Sequence, residues 1–247
     1  MKTPAQEYDK YTNDDHDVWR ILFERQTANL RDKVWSRFYA CLELTDINSY
    51  GVPDFRQLNP RLTGLTGWDI RVVKGIIPVD EFIRLLYRRH FCSSTWLRRR
   101  DQLDYLEEPD MFHDTFGHIP LLADKQYADF VYRFAELGMK HIHDEKALVL
   151  LDRFYWFTIE FGLMKENGAL RIYGAGLISS FGEANHVYTD AIELRPFDVQ
   201  EIMQTPFRND QVQNLYFVVQ DMRDLWASID EAEKIIECIL IGKKEKV

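Results

Sequence analysis

The chain has 247 residues, of which 46% are apolar and 14% aromatic, enough for one sizeable core arranged as one large domain or two small ones. A formal charge of -9 argues against nucleic acids and membrane surfaces as partners and predicts small-molecule partners. There is no apolar run long enough for a membrane span, residues 1–17 do not resemble a signal peptide, and the three cysteines form no close-spaced pair, so we expect a cytoplasmic protein with reduced thiols.

The first third of the chain predicts helix, loop and helix in turn. Residues 16–44 carry apolar side chains at helical spacing, which predicts one amphipathic helix. Residues 48–67 are rich in asparagine, glycine and proline and are typical of a loop. Further along, Asp80 can cap a short helix that contains Phe82.

The second half of the chain is again mostly helical by its pattern. Residues 125–143 predict an amphipathic helix capped by Asp124. Residues 170–173 and 191–195 alternate well enough to be short strands. A closing helix is predicted from about residue 221 to Gly242, because a glycine commonly ends a helix. We therefore expect a mainly α protein with a few short strands and long loops.

One segment stands out chemically, PDMFHDTFGHIPLL at residues 109–122. His113 and His118 lie there among large apolar side chains, which indicates a buried setting. On an ideal helix, side chains five positions apart point about 140° away from each other, so a regular helix cannot bring these two together. Gly117 and Pro120 predict that the chain leaves the helix near His118, which would let the second imidazole turn back towards the first.

A second segment, residues 152–164, is apolar on nearly every side of a helix and is therefore predicted to be buried. It contains Glu160, and a buried carboxylate costs several kcal/mol unless it is protonated, paired or bound to a metal. An ion pair with Arg153 is the simplest way to satisfy Glu160 alone. Together with two buried histidines, however, the carboxylate completes the two-histidine, one-carboxylate set that holds non-haem Fe(II) and leaves coordination positions open.

The residue types and their spacing also leave alternatives to an iron site open. The two histidines can be core or interface residues satisfied by hydrogen bonds. A zinc hydrolase can also use two histidines and a glutamate, although its usual His-Glu-x-x-His motif is absent. A domain held together by a metal and without catalytic activity is the non-enzymatic alternative.

Three segments together resemble the pterin-dependent aromatic amino acid hydroxylase family, in particular its short bacterial phenylalanine-hydroxylating members. They are the histidine segment at residues 109–122, YWFTIEFGL at residues 155–163 and YGAGLISSFGE at residues 173–183. They stand in the family's order and at nearly its spacing, and weaker similarity extends the resemblance over most of the chain. The resemblance implies that His113, His118 and Glu160 bind a catalytic Fe(II).

The resemblance also implies a pterin site and an amino-acid site. On the pterin side it implies contacts from a glycine loop and from aromatic rings, at Gly75, Ile76, Ile77, Phe82 and Tyr155. On the amino-acid side it implies that Arg98 and Ser179 hold the substrate carboxylate and that other residues shape the pocket, namely Trp156, Phe161 and Gly176. Cys92 stands where animal members carry a pterin-side histidine. Arg99 and Arg100 are expected to be solvated.

The resemblance implies a single basket-like catalytic domain over residues 1–247, without a regulatory or tetramerisation domain, and therefore a monomer. The activity it implies is hydroxylation of L-phenylalanine to L-tyrosine by O2, with iron and tetrahydrobiopterin or another tetrahydropterin as cofactors. The same chemistry on tryptophan is the alternative within the family.

Overall fold

Helices provide most of the regular structure in this computed structural model, which describes residues 4–104 and 108–244. The α-helices of those residues are α1 (Asn13–Leu30), α2 (Arg37–Thr45), α3 (Phe55–Thr66), α4 (Val79–Tyr87), α5 (Lys125–Lys140), α6 (Glu145–Tyr155), α7 (Ala175–Ser179), α8 (Phe181–His186), α9 (Val199–Gln204) and α10 (Met222–Lys244). The mainly α class is therefore confirmed, while the basket-like shape stays a prediction.

Six short strands form two small sheets within the same residues. A parallel pair joins β1 (Asp69–Val72) to β2 (His90–Ser93). The larger sheet has the order β4-β3-β6-β5, built from β3 (Leu163–Glu166), β4 (Ala169–Ile172), β5 (Glu193–Pro196) and β6 (Leu215–Val219). Strands β3 and β4 form an antiparallel hairpin, whereas β6 runs parallel to both β3 and β5. The predicted strands near residues 170–173 and 191–195 correspond to β4 and β5.

The single helix predicted for residues 16–44 is wrong, because the helical structure is interrupted between the end of α1 and the start of α2. Val34 forms an isolated bridge with Ile172, and the backbone N–H of Trp35 donates to the carbonyl of Ile172 at 2.8 Å. These contacts attach the segment between the two helices to the last residue of β4. Long-range backbone pairing has overridden a pattern that is locally compatible with helix.

The loop predicted for residues 48–67 is also wrong, since α3 occupies most of it. The side chain of Asp54 caps the helix by accepting from the N–H of Arg56, and Pro60 lies inside the helix. The buried side chains Phe55, Leu58 and Leu62 supply the helical apolar stripe. Burial of this stripe therefore outweighs the asparagine and the proline.

The helices predicted near Asp80, over residues 125–143 and from about residue 221 are confirmed, with small changes at their ends. Asp124 caps α5 by accepting from the N–H groups of Gln126 and Tyr127. Helix α4 begins after Pro78, so Asp80 lies in its first turn and is not its cap. Helix α10 continues to Lys244, past the predicted end at Gly242.

One buried apolar cluster connects these elements, from Val18 in α1 to Ile236 in α10. Helices α5 and α6 contribute several of its large aromatic side chains, including Phe130, Phe134 and Phe154. The segments that carry His113, His118 and Glu160 are packed at the edge of this cluster, so their backbone is held by the core. In the described part of the chain, no helix combines the length and the apolar character needed to cross a membrane.

Candidate metal centre and the cavity around it

His113 and His118 converge because the chain forms a π-helical turn at His113–His118. In such a turn the hydrogen bonds span five residues, so side chains five positions apart lie nearly one above the other. The two Nε2 atoms are 3.3 Å apart. The predicted exit from the helix near His118 is wrong: Ile119 keeps helical angles (φ −65°, ψ −39°), and Pro120 opens a 3₁₀ turn at its first position, where a proline needs no N–H.

A buried ion pair fixes the start of this turn. The fully buried carboxylate of Asp110 accepts the backbone N–H of His113 at 3.1 Å. It also accepts the Nε and Nη2 groups of Arg98, both at 2.9 Å, in a two-pronged pair. The Nη1 group of Arg98 makes no hydrogen bond with residues 4–104 or 108–244, and the side chain lines the cavity described below.

Glu160 lies on a second π-helical turn, Trp156–Glu160, which continues α6. The N–H of Phe161 donates to the carbonyl of Trp156 at 2.8 Å, the five-residue spacing of this helix type. The carboxylate oxygens of Glu160 lie 3.5 Å from His113 Nε2 and 3.3 Å from His118 Nε2.

The ion pair between Glu160 and Arg153 that residue spacing allows is not formed. The Nη1 group of Arg153 donates to the backbone carbonyls of Met203 and Gln204 at the end of α9. Glu160 therefore faces the two imidazoles.

The three side chains present the donor set of a metal site. One donor atom from each of His113, His118 and Glu160 lies within 4.8 Å of the others, and no second group of this kind occurs within the described ranges. Donors that share one ion through bonds of about 2.1 Å come about 3 to 3.5 Å apart, which matches the observed separations. Burial alone would raise the pKa of Glu160, but with no ion bound the protonated imidazole of His113 and the hydrogen bond with His118 outweigh burial and lower that pKa.

Ser179 sets the tautomer of His113. Its hydroxyl donates to the carbonyl of Ala175 at 2.9 Å, and its oxygen lies 2.9 Å from His113 Nδ1. Because the single hydroxyl proton is already directed to Ala175, Nδ1 must be the donor in the second contact. Nε2 of His113 then carries the lone pair and points to Glu160, as a metal ligand requires.

Gly176 allows helix α7 to approach the side chain of Glu160 closely. A Cβ atom at this position would lie 2.7 Å from Oε1 of Glu160 and 3.0 Å from the ring of Phe161. Gly117 is similarly confined, since a Cβ there would lie 2.8 Å from the carbonyl of Ala175. Helix α7 can therefore pack on both ligand segments only because these two residues lack side chains.

We expect the substitution Gly176→Ala to push the Glu160 carboxylate away from the histidines. Disturbing the support of a metal ligand commonly lowers affinity by about 10- to 100-fold, and we expect a loss of that size for iron in a chelator competition assay. Gly182→Ala is the matched control, because a Cβ at Gly182 meets nothing within 4 Å. Equal iron affinity in the two variants would contradict this interpretation of Gly176.

A cavity of about 1340 Å³ opens beside the three ligands. It is large enough for two small molecules at once, since a pocket for one drug-sized ligand measures about 300 to 1,000 Å³. The residues predicted to bind pterin and the residues predicted to bind the amino acid all line it, namely Gly75, Ile76, Ile77, Phe82, Tyr155, Arg98, Trp156, Phe161, Gly176 and Ser179.

Comparison with known proteins agrees with this geometry. A family model described as biopterin-dependent aromatic amino acid hydroxylase matches residues 4–238. The chain belongs to this family. A phenylalanine-4-hydroxylase of Caulobacter vibrioides is 40% identical over 224 residues, which is 90% of this chain and 76% of that protein.

Solved structures of another hydroxylase support the same assignment. Phenylalanine hydroxylase from Chromobacterium violaceum with bound iron(III) and 7,8-dihydrobiopterin superposes with a TM-score of 0.88 at 39% identity, covering 94% of this chain and 84% of that one. The iron- and phenylalanine-bound structure of that enzyme gives a TM-score of 0.86 at 37% identity, covering 92% and 82%.

In the present chain two of the predicted pterin-side residues, Phe82 and Tyr155, lie on the side of His118. Phe82 lies edge-on to Tyr155, with ring centroids 5.2 Å apart, and the ring of Tyr155 lies 6.5 Å from that of His118. Gly75 adopts a left-handed φ of +69°, which a glycine reaches without strain. Ile76 next to it is 73% exposed. The pterin contacts of these residues stay predictions.

The cavity wall also includes Asp114 and Cys92, which are not among the residues predicted to bind the cofactor or the substrate. Asp114 directly follows His113 and accepts the N–H of Ser94 at 2.7 Å. Its burial raises the pKa of the carboxyl to about 6. Cys92 also lines the cavity, and burial raises the pKa of its thiol to about 12, so it remains a neutral thiol. Adjacency to His113 is the sequence signal that could have identified Asp114.

Proposed function

We propose that this protein hydroxylates L-phenylalanine to L-tyrosine with O2, using Fe(II) and a tetrahydropterin. The observation that carries the proposal is the triad of His113, His118 and Glu160 at the wall of one cavity that also contains an arginine and two groups of aromatic side chains. The relatives named phenylalanine-4-hydroxylase, and the neighbour with bound iron and phenylalanine, support this choice of substrate.

His113, His118 and Glu160 would hold the iron on one side and leave its other positions facing the cavity. Iron(II) together with a tetrahydropterin supplies the reduction of O2 that delivers one oxygen atom to the aromatic ring. Ser179 keeps the lone pair of His113 directed at the metal through the hydrogen bond at Nδ1.

The remaining residues orient the two organic molecules. Phe82 offers a ring face to the pterin, beside the loop of Gly75, Ile76 and Ile77 and the ring of Tyr155. Arg98 is held by Asp110 and turns its Nη1 edge to the substrate carboxylate.

Trp156 and Phe161 provide apolar walls for the substrate ring on the other side of Glu160. Their ring centroids are 4.5 Å apart, so the two rings form one apolar surface next to Glu160.

Product analysis tests the proposal. We expect purified protein with Fe(II), a tetrahydropterin and L-phenylalanine to consume O2 and form L-tyrosine. Hydroxylation of tryptophan instead would keep the family chemistry and contradict the substrate. Zinc bound at full occupancy, without iron-dependent activity, would favour a hydrolase. The absence of pterin binding would favour a domain stabilised by metal without catalysis.

We expect Phe82→Ala to weaken binding of the tetrahydropterin. An aromatic pair contributes about 0.5 to 1.5 kcal/mol beyond the area it buries, so the dissociation constant should rise about tenfold. Phe82→Tyr keeps the ring and should change the constant little. Calorimetric titration of both iron-loaded variants measures the difference, and an unchanged constant in Phe82→Ala would rule out stacking at this position.

We further propose that the chain forms one catalytic domain, acts as a monomer and works in the cytoplasm. The continuous apolar cluster from α1 to α10 supports a single domain. The free thiols of Cys41, Cys92 and Cys238 suit a reducing compartment. Light scattering coupled to size-exclusion chromatography tests the monomer.

A further inference from the structure

Residues 205–214, which join α9 to β6, cover one side of the cavity. Five of them line it together with the predicted substrate residue Trp156, namely Phe207, Asn209, Asp210, Gln211 and Val212. Most of this loop is exposed, and Gln213 is its one buried residue, at 8% exposure. A buried amide in an otherwise exposed loop requires a specific set of partners.

Gln213 has such partners on both sides. Its Oε1 accepts the indole N–H of Trp156 at 3.2 Å, and its Nε2 donates to the carbonyl of Leu215 at 2.6 Å. The backbone N–H of Gln213 approaches Oε1 of Glu183 at 3.4 Å. The amide thus connects the start of β6 to the ring of Trp156.

Two further contacts attach the same loop to the end of α6. The ring of Phe207 stacks on that of Trp156, with centroids 4.2 Å apart and planes 10° from parallel. Arg153, three residues before Trp156, donates to the carbonyls of Met203 and Gln204, where the loop begins. The three contacts made by Gln213, Phe207 and the end of α9 therefore lie on the segment Arg153 to Trp156, about one helical turn before Glu160.

We propose that Gln213 is a positioning residue for the substrate pocket, holding the indole of Trp156 against Phe207 so that the pocket wall has one orientation before the amino acid binds. This inference rests on the proposed function, because it takes the space beside Trp156 as the place of the substrate ring. A tryptophan side chain can turn about two bonds. The hydrogen bond at one edge and the stacked ring on one face remove that freedom, so less ordering is left to occur on binding.

The substitution Gln213→Met tests this role, because it keeps an unbranched side chain of similar length and removes both amide hydrogen bonds. We expect the dissociation constant of L-phenylalanine, measured by calorimetry on the Fe(II)-loaded protein without O2, to rise about three- to tenfold. Iron content and the dissociation constant of the tetrahydropterin should stay at their wild-type values, because Gln213 contacts neither the triad nor the predicted pterin residues.

A double-mutant cycle separates positioning from general support of the loop. In Trp156→Phe the indole N–H is absent, so adding Gln213→Met should change the constant less than twofold. An equal effect of Gln213→Met in both backgrounds would overturn the proposal, since the effect would then come from the contacts with Leu215 or Glu183 and not from the hydrogen bond with Trp156. If Gln213→Met does not fold, Phe207→Leu removes the stacked ring without leaving a polar group unpaired, and wild-type phenylalanine binding by that variant would overturn the proposal as well.

The double-mutant cycle and the product assay test two separate proposals, and a negative result in one does not decide the other. A wild-type protein that binds phenylalanine but forms no tyrosine would overturn the proposed function, while the coupling between Gln213 and Trp156 would still decide the role of the loop. A wild-type protein that forms tyrosine but shows no coupling would overturn the role of Gln213 alone.

Discussion

Replacing His118 with alanine should give a folded protein that neither holds iron nor forms tyrosine. His118 is one of three donors, and its side chain is only 4% exposed. Changes in groups that merely support a ligand cost about 10- to 100-fold in metal affinity, so removal of a ligand itself should cost more than about a hundredfold. Elemental analysis after gel filtration measures the bound iron, and circular dichroism checks the fold.

His186 offers a matched control for this variant. It lines the same cavity but pairs with Asn214, its Nε2 lying 2.7 Å from the amide oxygen. His186→Ala should therefore retain stoichiometric iron. Iron retained by His118→Ala, or lost equally from both variants, would show that the triad is not the metal site.

Replacing Arg98 with alanine should lower the free energy of unfolding by about 3 to 5 kcal/mol, because it leaves the carboxylate of Asp110 buried without its charge partner. Asp110 is fully buried and, among the described residues, would keep two backbone donors, from residue 98 and His113. Urea unfolding of the variant and the wild-type protein under identical iron loading measures this change.

Arg99 is the matched control for Arg98. It also pairs with an aspartate, Asp101, but both side chains are more than half exposed. Ion pairs between exposed side chains contribute little to stability, so Arg99→Ala should leave the urea midpoint of unfolding close to its wild-type value. A similar small loss in both variants would contradict the structural role of the Arg98–Asp110 pair.

Under conditions in which Arg98→Ala is folded, the variant also tests the role of Arg98 in substrate binding. Loss of a charge-assisted contact costs about 1.5 to 3 kcal/mol, so the dissociation constant of L-phenylalanine should rise roughly 10- to 150-fold. Iron content should be unaffected, because Arg98 does not contact the triad. A folded Arg98→Ala with wild-type phenylalanine affinity would remove Arg98 from the substrate site.

The grouping of His113, His118 and Glu160 in one site could be predicted from the sequence, but the way in which they meet could not. Two histidines and a glutamate in apolar segments are costly unless they share a function, so their residue types and surroundings alone indicate a common site. The π-helical turns that bring them together have no repeating sequence pattern, because each is a single turn. They depend on tertiary contacts such as the ion pair between Arg98 and Asp110 and the packing of Gly117 on Ala175.

Several of the elements that the sequence pattern missed are stabilised by distant residues. The break between α1 and α2 is held by Ile172, and β6 pairs with both β3 and β5. Local periodicity carries no information about such partners. The same holds for Gln213, an ordinary polar residue in the sequence whose burial against Trp156 appears only in the fold.

The most direct test of oxygen transfer at an iron held by the triad uses O2 labelled with oxygen-18. The protein is given L-phenylalanine, Fe(II) and a tetrahydropterin, and the mass of the tyrosine formed is measured. A monooxygenase whose iron is held by His113, His118 and Glu160 should give tyrosine that carries one oxygen-18 atom, and Glu160→Ala should give none. Unlabelled tyrosine, or labelled tyrosine from Glu160→Ala at the wild-type rate, would contradict this mechanism.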